Sequence, residues 1–158
     1  MDGLLVLGLG GDSSKLTLHS NYLQALALVQ HGTSLLKRSE YSNVLAELEE
    51  GINALTTASQ FIPENYPEKL QCLSNLGCGL RMRFERLSAI VDLEGAIMTQ
   101  RQAVRLAPDG HPGKPDYLNN IGVSFLCRFE HLGDVADLNT AIAVQQHAVR
   151  LTPYDHPI

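Results

Sequence analysis

The groups in this 158-residue chain that could act as nucleophiles or metal ligands are three cysteines, Cys72, Cys78 and Cys127, and six histidines. A structural zinc needs several converging ligands, usually spaced as paired C-x-x-C or H-x-x-x-H. Neither spacing occurs among His19, His31, His131, His147 and the cysteines. No sequence feature ties one histidine to one cysteine as base to nucleophile. An odd number of cysteines without a repeated pair instead suits packing residues in a reducing compartment. The other candidate is the run Leu7-Gly8-Leu9-Gly10-Gly11-Asp12-Ser13-Ser14-Lys15, because a glycine turn after apolar residues can cradle a phosphate. Ser13 stands where a dinucleotide fingerprint has its third glycine, no G-K-[ST] closes a P-loop, and no βαβ pattern follows. The expectation is therefore a chain without catalytic residues, metal or cofactor.

Composition narrows the classes further. Twelve basic against 17 acidic side chains give a net charge of −5, which offers no broad electrostatic footprint for a phosphate backbone. Nucleic acid is not an expected partner. With 44% apolar and 18% charged residues, 13 glycines and 7 prolines, the chain fits a folded domain rather than a collagen-like or disordered one. Charges interrupt every helix-length window after the first residues, so no membrane span is expected. Asp2 occupies the place where a secretory signal carries basic residues. The reading is a soluble, cytoplasmic protein.

What must position any functional side chain is a repeat. Sliding the chain by 45 places sets Gly77 on Gly122, Arg83-Phe84-Glu85 on Arg128-Phe129-Glu130, Asp92-Leu93 on Asp137-Leu138, and Ala103-Val104-Arg105-Leu106 on Ala148-Val149-Arg150-Leu151. From Pro67 to His111, 20 of 45 positions are identical without a gap. A second shift exposes a divergent copy that keeps Leu28, Gly32, Leu35, Arg38, Glu40, Leu48, Glu49, Ile52, Ala58, Pro63 and Pro67. The expected organisation is a flexible or capping leader over 1–20, repeats over 21–66 and 67–111, and a third over 112–158 that ends in a linker.

Each copy reads as two helices. In the third, Leu118, Ile121, Phe125, Phe129 and Leu132 recur every three or four residues and define a first helix, A, with Pro115 in its opening turn and Gly133 at its end. Asp134 sits at the cap of a second helix, B, whose inner stripe is Leu138, Ala141, Ile142, Gln145, Ala148 and Leu151, and which Pro153 stops. Ser88 is the corresponding cap expected in the second copy. Gly77 and Gly122, mid-helix, together with Ala96, Ala103, Ala141 and Ala148, predict close helix crossings. Two helices cannot cover such stripes alone, so neighbouring hairpins must stack into an all-α solenoid. The Arg-Phe-Glu segments could form a recognition stripe, but with the Phe on the apolar face their charges are rather expected to brace neighbouring hairpins. His111 and His156, before Pro112 and Pro157, are expected to satisfy carbonyls at helix ends.

In order and type, Leu76-Gly77 and Ile121-Gly122, Phe125, Ala96/Ala141, Ala103/Ala148 and Pro108/Pro153 resemble the tetratricopeptide repeat family. The unit is longer than that family's usual roughly 34 residues, as if each helix were extended by about a turn. It is similar in this to kinesin light chain repeats, and in wording to the tandem repeats of fungal proteins that often carry a caspase-like CHAT peptidase domain. The resemblance covers residues 21–158 and implies a right-handed superhelix of antiparallel hairpins. Its concave groove, lined by helix A, would take a peptide or partner helix.

On that pattern Asn75 and Asn120 fall where peptide-binding repeats use asparagine to hold a ligand backbone, an amide supplying both donors and acceptors. A helix-to-helix hydrogen bond would explain the same recurrence. Ser74, Asn119, Cys78, Arg81, Met82, Val123 and Leu126 are expected to face the groove, with Gln30 and Thr33 from the divergent copy. Val29, Ser74 and Asp116 occupy the places where chaperone-tail clamps carry lysine or arginine, so a terminal carboxylate is not the expected ligand. The functional expectation is a non-enzymatic scaffold that binds a protein or peptide. The alternative is a regulatory or recruiting segment of a larger enzyme, such as a CHAT peptidase or a signalling protein. Since the final residues stand where a fourth helix A would begin, the further expectation is that the chain either self-associates through an uncovered end or is part of a longer array.

Overall fold

The 45-residue period appears in the backbone as a recurring left-handed residue: Asn43 (φ 56°), Ser88 (φ 55°) and Gly133 (φ 75°). In the computed structural model, which describes residues 10–153, each of the three ends one helix and begins a two-residue turn into the next. The helices are α1 Gly10–Ser42, α2 Leu45–Phe61, α3 Pro67–Leu87, α4 Ile90–Leu106, α5 Lys114–Leu132 and α6 Val135–Leu151. Among the described residues there is no strand. Turns this short force antiparallel neighbours, so α1/α2, α3/α4 and α5/α6 form hairpins. Ser88 is thus a correction to the sequence reading: its N–H returns to the Phe84 carbonyl at 2.7 Å and closes α3 instead of capping α4. Gly133 does the same to Phe129, and Asp134 caps α6 as expected, accepting the Ala136 N–H at 2.9 Å.

The expected boundary between leader and first repeat, at residue 20, falls within a helix. Helix α1 runs unbroken from Gly10, so Gly10 to Lys15 form its opening turns and not a glycine turn. No proline interrupts the stretch, and Tyr22 is held against Tyr66 of the α2–α3 connection with ring centroids 4.6 Å apart. Leu4, Leu5, Val6 and Leu7, expected to cover the first hairpin, lie outside the described residues, as do His156 and Pro157.

Packing follows chain order. Helix α3 lies on α2 and α5 on α4; α1 also touches α3, and α3 touches α5. No Cα of α2 comes within 8 Å of α4, nor any of α4 within 8 Å of α6. The core sits at these junctions. One cluster joins Leu36, Leu48, Ile52, Leu55, Cys72 and Leu76 across α1, α2 and α3; another joins Phe84, Leu93, Ile97, Ile121, Phe125 and Ala141 across α3 to α6. Ala96, Ala103, Ala141 and Ala148 are buried, as the close-crossing argument required. A Cβ on Gly77 would overlap Gln100 Cγ, and one on Gly122 would lie 2.8 Å from Gln145 Cγ.

Two lysines fasten each hairpin to the one before. Lys69, 8% exposed, donates from Nζ to the Ser59 carbonyl and, at 3.0 Å, to that of Ile62. Lys114, 45 residues on and 7% exposed, donates to the Val104 and Ala107 carbonyls, each at 2.5 Å. The ammonium satisfies carbonyls that a helix C-terminus leaves without internal partners, and its charge complements the negative end of the dipole. No helix among the described residues is long and apolar enough to cross a membrane.

Candidate functional site

The expected groove residues sit on α3 and α5, whose facing sides are joined by amide-to-hydroxyl bonds. Asn75 Nδ2 donates to Thr33 Oγ1 at 2.8 Å, and Asn120 Nδ2 donates to Ser74 Oγ at 3.0 Å. Each bond runs from one helix A to the helix A before it, so the recurrence of asparagine has a packing cause. Asn75 is further committed, its Oδ1 accepting from Gln71 Nε2 at 2.8 Å. Asn120 keeps its amide oxygen without a hydrogen-bond donor among the described residues.

A concavity of about 510 Å³ opens where these helices meet, lined by Glu40 of α1, Cys78, Arg81, Met82, Glu85 and Arg86 of α3, and Asn120 of α5. Four expected site residues, Cys78, Arg81, Met82 and Asn120, are therefore brought together. Ser74 is corrected: at 3% exposure it lies beneath Asn120 as its hydrogen-bond partner and cannot line a surface. Asn119 is exposed and Val123 half-buried, both outside the concavity. Gln30 is exposed, Thr33 is Asn75's acceptor, and Leu126 packs against the second core cluster. Glu40, Glu85 and Arg86 were not among the expected residues. Glu40 and Glu85 share the 45-residue register, which was the available signal.

Electrostatics give the site both signs. Arg81 Nη1 pairs with Glu85 Oε1, while Arg86 Nη2 donates to the Ser39 carbonyl at 2.6 Å. Arg81 also stands beside the Cys78 and Cys127 thiols and favours their ionised forms, but burial prevails and raises both above the ordinary thiol range. Cys72 is pushed up to about 11 by burial. All three thiols are thus protonated near neutral pH, the poorly nucleophilic form.

The Arg-Phe-Glu arginines brace their own hairpins rather than neighbouring ones, a further correction. Arg83 grips Asp92 with Nε–Oδ2 at 2.9 Å and Nη2–Oδ1 at 2.5 Å, and Arg128 grips Asp137 with both distances 2.7 Å. Arg38 and Glu47 repeat the pair in the first hairpin at 2.7 Å. The reason is geometric, because the partners flank the tight turn nine residues apart. His111 likewise departs from expectation: its Nδ1 accepts the Gly113 N–H at 3.0 Å instead of donating to a helix carbonyl.

The Arg128 hydrogen bonds hold the Asp137 carboxyl below its ordinary pKa. The stability this contributes is present above the unfolded aspartate pKa of about 3.9 and is lost as pH falls through the lower, folded value. Acid unfolding followed by circular dichroism should therefore be less steep below about pH 4 in Asp137→Asn than in the native chain. Identical acid limbs would show that the pair adds no pH dependence.

Set against protein-family models and against curated proteins, the chain matches none.

Proposed function

We propose that this chain is a non-enzymatic interaction module of the tetratricopeptide-repeat type, in which α1, α3 and α5 line a groove for a peptide or partner helix. The observation that carries the reading is the concavity where these three helices meet, lined by residues of each. The packing order adds support. First helices touch one another while second helices do not, an asymmetry that bends a stack toward its first helices and suits a solenoid with an inner face; its right hand is what the family resemblance implies. Its function is rigid presentation of side chains.

The lining suits a peptide of mixed character. Arg81 and Arg86 stand against Glu40 and Glu85, Met82 supplies an adaptable apolar surface, and Asn120 offers an amide oxygen to a backbone N–H. Nothing in that balance favours a nucleic acid or a strongly charged tail. Three free thiols and no paired cysteine suit a reducing, cytoplasmic setting.

Selection of peptides from a displayed library on the immobilised chain tests the reading. Peptides selected on the native chain should lose at least about tenfold in affinity, roughly 1.4 kcal/mol, against Met82→Asp and Arg81→Glu variants of unchanged helical content. Equal affinity for native and variant chains would place binding elsewhere and defeat the proposal.

A further inference from the structure

The apolar stripe by which α1 meets α2 continues beyond the end of α2. Leu18 stands at nearly the same angle round the helix as Ala25 and Leu36, yet those two are buried and Leu18 is 69% exposed. The cause is length. Helix α2 ends at Phe61, in register with Leu106 at the end of α4, and α3 opens at Pro67, in register with Tyr22, whereas α1 opens at Gly10. The chain turns after Phe61 into α3, and Tyr66 of that turn comes back to α1, its ring centroid 4.6 Å from that of Tyr22. A concavity of about 480 Å³ stands there, with Leu18, Tyr22, Phe61, Pro63 and Tyr66 as its apolar lining and Lys15 and His19 beside them.

Stacking of hairpins uses a different side of α1. The residues that meet the preceding hairpin are Lys69, Cys72 and Leu76 in α3, and Lys114, Tyr117 and Ile121 in α5. The same places on α1 fall to Gln24, Ala27 and His31. Leu18 and Ala27, nine residues apart, face opposite sides of the helix at about 100° per residue. The concavity therefore lies off the surface along which repeats join, and it depends on opening turns that α3 and α5 do not have.

Its lining selects a ligand. Small-molecule sites of this size are concave and mostly apolar, with a few polar groups that fix orientation. Three aromatic rings and a proline offer flat apolar contact. Lys15 and His19 lie one turn apart on one side of α1, neither has a hydrogen bond or ion pair among the described residues, and no carboxylate lines the concavity. Aromatic rings also attract cations, but Lys15 opposes one here. Its single positive charge matches a monoanion, and His19 adds an N–H donor whichever ring nitrogen carries the proton.

We infer that this concavity binds a small aromatic carboxylic acid, its ring against Tyr22, Phe61 and Tyr66 and its carboxylate on Lys15 and His19. The site is separate from the groove and does not depend on that reading.

Naphthalene-2-carboxylate serves as the probe, titrated into the isotope-labelled full chain and followed by amide chemical shifts. The expected result is saturable binding with perturbations centred on Leu18, Tyr22, Phe61 and Tyr66. Naphthalene-2-methanol, which keeps the rings and lacks the charge, should bind at least about tenfold more weakly. Lys15→Glu should weaken the acid by a similar factor, Lys15→Arg should retain it, and Met82→Asp in the groove should leave it unchanged. Lys15 is exposed, so helical circular dichroism should survive both of its substitutions. Absence of saturable binding, or perturbations centred on the groove, overturns the inference. Equal affinity for acid and alcohol, or for native and Lys15→Glu chains, also overturns it, by reducing the site to an apolar crevice.

Discussion

Gly77→Ala is expected to destabilise the chain by about 1–3 kcal/mol, although alanine is the better helix former by about 1 kcal/mol. The propensity gain is real but smaller than the packing loss. An added methyl would overlap Gln100 Cγ, and Gln100 is not free to retreat: it is 1% exposed and holds the Ser124 hydroxyl. Moving it would disturb α3, α4 and α5 together. Gly95 provides the control, since a Cβ there meets only Leu80 Cδ1 at 3.4 Å, ordinary contact. Gly95→Ala should stabilise by about 0.4–1 kcal/mol. Urea unfolding with an unchanged slope measures both. If both substitutions stabilise, the α3–α4 crossing is looser than described.

Lys114→Met is expected to cost about 1.5–3 kcal/mol, the range for hydrogen bonds to a charged donor. Methionine keeps the apolar stem and removes the ammonium, so the loss comes chiefly from the bonds to the Val104 and Ala107 carbonyls, with a smaller share from the pair to the exposed Asp109 carboxylate at 3.6 Å. Those groups lie at the end of α4 beneath the start of α5, where water cannot readily replace the lysine. Chemical denaturation gives the global value, and amide exchange should show the loss of protection concentrated at the α4–α5 junction. A change within about 0.5 kcal/mol, typical of neutral surface substitutions, would mean that the lysine is ornamental to the stack.

Much of the fold is legible in the sequence because a repeat states each structural rule more than once. The apolar stripes through Leu118, Ile121 and Phe125, the small crossings at Gly77 and Ala96, and the caps at Asp134 and Gly133 all follow from residue type and spacing. Three things were not legible, for physical reasons. Ser88 lacks glycine's signature yet takes the left-handed turn, because its register with Asn43 and Gly133 fixes the backbone there. Ile142 belongs to an apolar stripe but is exposed, since a stripe is buried only when something lies over it, and among the described residues nothing lies over the side of α6 turned away from α5. The lysine clamps escaped notice because lysine normally marks a solvated surface; only the identity of Lys69 and Lys114 across the period signalled otherwise.

The candidate site divides along the same line. The resemblance to peptide-binding repeats, and not the period itself, pointed to the face that carries Cys78, Arg81, Met82 and Asn120. Neither the pattern nor the period said which positions a following helix covers: Ser74 and Asn119 share one register, yet Ser74 is buried beneath Asn120 of α5 whereas Asn119 is exposed. Arg38, Arg83 and Arg128 show the same difficulty in reverse, for their charges turn back across their own hairpins to Glu47, Asp92 and Asp137.

Amide chemical-shift mapping of the labelled full chain with a library-selected peptide tests the central claim most directly, that the first helices form one ligand-binding face. The account predicts perturbations clustered at Glu40, Cys78, Arg81, Met82, Glu85 and Asn120, spanning α1, α3 and α5 and sparing the outer sides of α2 and α4. Perturbations confined to α2, α4 or α6, with that cluster silent, would contradict it.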